Sequence, residues 1–66
     1  MKIEVRSRNL GRTLTFTAHD VSGYVRVGDA SSFAAKQLFD RHGNAVVARD
    51  EAQLRREAAR YIKRQA

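Results

Sequence analysis

Residues 2–18 read KIEVRSRNLGRTLTFTA, and the fold class of the whole chain follows from this stretch. From Lys2 to Arg8 the side chains alternate, with Ile3 and Val5 on one side and Lys2, Glu4, Arg6 and Arg8 on the other. A β-strand sends successive side chains to opposite faces, so the alternation predicts a strand with one buried face. Arg12 to Ala18 repeats it, setting Leu14, Phe16 and Ala18 against Thr13, Thr15 and Thr17, residue types that pack well on a pleated surface. Asn9-Leu10-Gly11 lies between the two runs, and a short loop with a Gly able to take positive φ closes an antiparallel hairpin.

Working outward, His19-Asp20-Val21-Ser22-Gly23 is a polar turn, after which Tyr24-Val25-Arg26-Val27 predicts a third strand ended by Gly28-Asp29. Val25 and Val27 would point inward, leaving Tyr24 and Arg26 outside. A three-stranded meander of this kind has one apolar face that something must cover. Asp50 opens the element that can do so. Asp50-x-x-Gln53 has the form of a capping box, and Glu51 adds negative charge to the first turn of a predicted helix reaching about Arg64. At 100° per residue Leu54, Ala58, Tyr61 and Ile62 share one arc, while Arg56, Arg60 and Lys63 cluster opposite. The expected architecture is α+β, an antiparallel β-meander with a C-terminal amphipathic helix packed on one face.

Residues 31–48 support two patterns. Ser31 or Ser32 could cap a helix through Phe33–Phe39 with Gly43 just past its end. Alternatively, Lys36–Asp40 and Asn44–Ala48 form a second hairpin about an Arg41-His42-Gly43 turn, with Val46-Val47 favouring strand. The sheet accordingly has three to five strands. No repeat, low-complexity tract or linker interrupts the chain, so residues 1–66 are expected to form one small domain.

A 66-residue chain buries only roughly 60% of its unfolded surface, which leaves little room for a deep catalytic cleft. Ten of its apolar residues are Ala, so the core is small and the monomer only marginally stable. An exposed edge strand or leftover apolar patch would then let two copies finish the core as a homodimer. The longest apolar run, Ala45–Ala48, is far short of the roughly 20 residues that span a bilayer, and the alternating N-terminus does not have the form of a secretory signal. No membrane partner and a cytoplasmic location are therefore expected.

Chemistry-bearing constellations are sparse. His19 and His42 are far apart and there is no Cys, so no metal site is expected. His19, Asp20 and Ser22 are the residue types of a hydrolytic triad, but successive residues of one turn diverge and more readily bond their own backbone. The glycines at 11, 23, 28 and 43 sit at element boundaries and form no phosphate-cradling motif. Neither a catalytic residue nor a cofactor is expected.

The basic residues carry the functional expectation. Net charge is +6, with +2 over residues 1–20, +1 over 21–48 and +3 over 49–66. A pI near 10.8 in so small a domain favours polyanionic partners. The sheet's solvent side is expected to gather Arg6, Arg8, Arg12 and Arg26 for phosphates, with Tyr24 and Thr15 nearer bases or sugars, and a two- or three-stranded ribbon is narrow enough for a major groove. As architecture alone, a meander followed by a helix resembles small DNA-binding domains that lay a three-stranded sheet in the major groove, such as the arm-binding domains of phage-type integrases. That likeness carries no residue across. A second basic patch is expected on the helix, with Arg56, Arg60 and Lys63 in one stripe joined by Arg49 and Arg64. The first expectation is a non-enzymatic nucleic-acid-binding accessory protein. The alternative is a small protein-binding module or inhibitor of the type mobile elements encode, docking on an acidic surface of a larger complex through Tyr24, Phe33 or Phe39. An exposed Phe33 or Phe39 would favour that alternative.

Overall fold

The computed structural model describes residues 1–29 and 35–65. Four antiparallel strands, β1 (Lys2–Ser7), β2 (Arg12–Ala18), β3 (Val25–Asp29) and β4 (Ala35–Gln37), lie in the order β1-β2-β3-β4, and α1 (Glu51–Gln65) crosses one face. The α+β expectation and the first hairpin are therefore observed, with Ile3 opposite Phe16 and Val5 opposite Leu14. Alternation sends Ile3, Leu14, Phe16, Ala18, Val25 and Val27 to the covered face, where α1 contributes Leu54, Ala58 and Tyr61. Phe16 and Leu54 are fully buried, each contributing roughly 1.5–3 kcal/mol by burial. The Tyr61 ring meets Phe16 edge-on, with centroids 5.9 Å apart and planes at 76°.

Ser7 takes the next inward position on β1 and is buried, although the alternation alone gave it no role. Its hydroxyl accepts the Leu10 N–H at 3.2 Å and its carbonyl accepts the Gly11 N–H at 2.9 Å, so the polar group is used in closing the β1–β2 turn. At the helix start Asp50 Oδ1 accepts the Gln53 N–H at 2.8 Å, as a capping residue does. Gln53 Oε1 reaches back to the N–H of Arg49, at 2.6 Å, one residue ahead of the cap.

For residues 35–48 the hairpin pattern prevails. The helical alternative fails over residues 35–39, where the chain is extended, and its proposed start at Ser31, Ser32 and Phe33 lies outside the described residues. The outer edge of β3 is paired by two separate segments. Ala35–Gln37 pair with Gly28–Arg26, while farther along Val47 faces Tyr24. The Val25 N–H donates to Val46 O at 3.0 Å and the Ala48 N–H to Gly23 O at 2.9 Å. Between these segments the chain leaves the edge as a small hairpin, closed where Phe39 faces Ala45 and the Val46 N–H donates to Leu38 O at 3.0 Å. Leu38, Val46 and Ala48 are buried, so this excursion contributes to the core beside α1. At its tip Asp40 Oδ1 accepts the N–H groups of His42 at 2.8 Å and Asn44 at 3.0 Å.

Gly23 is more tightly surrounded than Gly11 or Gly43. Its φ is +77°, and a Cβ there would come within 2.9 Å of Val47 Cγ1 and 3.1 Å of Ala48 O. Gly11 also has positive φ, +66°, but faces open space. Gly11→Ala is expected to cost only the left-handed strain of roughly 1–2 kcal/mol, whereas Gly23→Ala adds a clash with the segment that completes the edge and costs more. Urea midpoints of the two variants against the parent check the order. A second prediction concerns Asp40, whose carboxyl is held below its usual 3.8 chiefly by the Asn44 N–H, with the His42 N–H assisting and desolvation opposing. A depressed carboxyl stabilises the tip above its unfolded pKa and loses that contribution as pH falls through the folded value. The amide resonances of His42 and Asn44 should therefore titrate together below pH 3.8, and Asp40→Asn should abolish the titration.

Candidate nucleic-acid interface

The open face of the sheet is built by the same alternation that builds the core. Cross-strand register sets Lys2, Thr17, Arg26 and Gln37 in one row across all four strands. Glu4, Thr15, Gly28 and Ala35 form the next row, and Arg6 and Thr13 a third. Glu4 is the single carboxylate in these rows. Lys2, Arg6 and Arg26 form no ion pair among the described residues, so their charge is directed to solvent. Tyr24 continues the Arg26 side of β3 and is 48% exposed.

Beside Tyr24 the face sinks into a hollow of about 280 Å³ lined by Thr17, His19, Ser22, Tyr24, Arg26 and Gln37. Its floor is organised by the β2–β3 turn. His19 Nδ1 accepts the N–H groups of Val21 and Ser22, both at 3.2 Å, and Ser22 Oγ accepts the Tyr24 N–H at 3.3 Å. A neutral imidazole that accepts at Nδ1 carries its proton on Nε2, which makes His19 a donor on its other side. His19 and Ser22 are thus occupied with backbone, and the Asp20 carboxylate lies 3.5 Å from the Met1 ammonium. Among the described residues no three His, Asp or Glu side chains gather as a metal ion would require.

Arg6, Thr15, Tyr24 and Arg26 lie on the open side as expected, but Thr15 stands between Glu4 and Gly28, a row away from Arg26. Arg12 does not join them. Its even position on β2 puts it on the side of Leu14, where it pairs with Asp29 at 3.6 Å in a hollow shared with Lys36 and Tyr61. Parity counted back from Leu14 already places it there. Arg8 lies beyond the end of β1, in the turn, because Ser7 closes the strand. Gln37, which no sequence signal singled out, and His19, weighed in the sequence only for metal and triad chemistry, reach the hollow through strand register and turn geometry.

The helical stripe is divided. Arg49 donates to Val21 O at 3.0 Å and so ties the β2–β3 turn to the helix start. Arg60 pairs with Glu57 at 3.2 Å. Arg60, Lys63 and Arg64 line a cleft of about 490 Å³ with Arg41 and His42 of the excursion, while Arg56 is exposed outside that lining. Phe39 is 53% exposed and Val47 38% exposed, and Phe33 lies outside the described residues. No described helix is long and apolar enough to cross a membrane. No protein-family model, curated protein or solved structure matches the chain.

Proposed function

We propose that this protein binds nucleic acid through the open face of its sheet and catalyses no reaction. One observation carries the proposal: among the described residues a single helix covers one face only, and the face left open presents Lys2, Arg6 and Arg26 without ion pairs, among Thr hydroxyls and a half-exposed Tyr24. Cations without carboxylate partners are free to replace the counterions of a phosphate backbone, and hydroxyls and an aromatic supply contacts to sugar and base. A cytoplasmic setting is part of the same proposal.

The alternative is a module that docks on an acidic protein surface, and the exposure of Phe39 and Val47 on the excursion favours it. Titration into labelled single-stranded and duplex nucleic acid at several salt concentrations separates the two. Affinity is expected to fall steeply with salt, and K2Q/R6Q/R26Q to reduce the slope of log K against log salt by roughly 0.7–0.9 for each phosphate that is no longer neutralised. K63Q/R64Q, on the helix, should leave the slope unchanged. Absence of binding to every nucleic acid at low salt overturns the proposal in favour of docking on protein, for which Phe39→Ala is then the variant to examine.

A further inference from the structure

Resting on that reading of the open face, we infer that its ligand is a single-stranded polynucleotide, one of whose bases stacks on Tyr24 while its phosphate meets Arg26. Two observations carry the choice. The first is width. The row Lys2, Thr17, Arg26 and Gln37 spans four strands, about 14 Å between outer strand axes at roughly 4.8 Å per neighbour, before side chains are counted. A B-form major groove is only about 12 Å wide, so this sheet cannot lie in it flat as a narrow ribbon does. An open single strand has no such limit, because its bases can splay onto a broad surface.

The second is the chemistry of the hollow beside Tyr24. At about 280 Å³ it lies just below the usual range for small-ligand pockets, roughly 300–1,000 Å³, and so would take no more than one unit of a longer ligand. Tyr24 offers an exposed ring, Arg26 a guanidinium without an ion-pair partner among the described residues, and Thr17 and Gln37 groups that both donate and accept. His19 adds the Nε2–H left free by its backbone contacts. No carboxylate is among the lining residues. A π-face beside a cation, with mixed polar groups at the edge, matches a stacked base and its phosphate and tolerates any base identity.

The chain has no Trp and just two Tyr, of which Tyr61 is buried, so a change of intrinsic fluorescence on ligand contact reports mainly on Tyr24. Unlabelled 12-mers of single-stranded DNA and RNA and a 12-base-pair duplex would be titrated into the parent, Tyr24→Phe and Tyr24→Ala. Either single strand should quench the parent's emission and bind at least tenfold more tightly than the duplex, the two sugars being separate arms. Tyr24→Phe should lose most of the quench but keep affinity within about threefold, whereas Tyr24→Ala should lose about tenfold or more. Equal or tighter duplex binding, or full affinity in Tyr24→Ala, overturns this inference. In that case a loss of binding in K2Q/R6Q/R26Q would leave the nucleic-acid function itself standing. No binding in any arm overturns both.

Discussion

The structure depends on one packing interface, the apolar stripe of α1 against the covered face of the sheet. Leu54, Ala58 and Tyr61 meet Phe16 and its neighbours there, and no disulfide is available to substitute for that packing. A chain of this size can supply one such layer pair and no more. The consequence is an asymmetric molecule. One sheet face is committed to the core, and the other must be soluble on its own terms.

That asymmetry links stability to function. Alternation along β1, β2 and β3 assigns every second residue to the core and thereby forces the intervening ones, Lys2, Glu4, Arg6, Thr13, Thr15, Thr17 and Arg26, onto a single uncovered surface. Glu4 is the one carboxylate in the rows of that surface, and most of the others are engaged elsewhere: Asp29 by Arg12, Glu51 by Arg55, Glu57 by Arg60, and Asp40 by backbone N–H groups, so Lys2, Arg6 and Arg26 form no ion pair among the described residues. The cationic face therefore follows from where the acids are spent as well as from where the bases lie.

The excursion from residue 38 to 46 joins these two roles. It sends Leu38 and Val46 inward to extend the core, and it carries Phe39 outward. By leaving the sheet edge and returning at Val47, it places a second partner beside the start of β3, so the backbone around Tyr24 is held while its ring stays exposed. Gly23 makes this possible, since a side chain there would collide with the returning segment. Arg49, anchored on Val21 O, braces the adjacent turn from the helix side.

Local pattern alone determined the β1–β2 hairpin, the third strand, the Asp50 cap and the buried stripe of α1, because each rests on periodicity or on residues a few positions apart. It also determined the sidedness of Arg6, Thr15 and Arg26. Residues 35–48 were different: their composition suits a helix and a hairpin alike, and what decided between them was hydrogen bonding of Leu38 and Val46 to Val25, more than ten residues away in the chain. Arg12, Arg8 and Arg49 depart from the grouping expected from charge, because strand parity, the end of β1 at Ser7 and the reach of a long side chain to the Val21 carbonyl decide where they lie. The hollow beside Tyr24 belongs wholly to the tertiary structure. Thr17, Arg26 and Gln37 meet there through register across three strands, and His19 through a turn, and neither relation leaves a signature in the order of the residues.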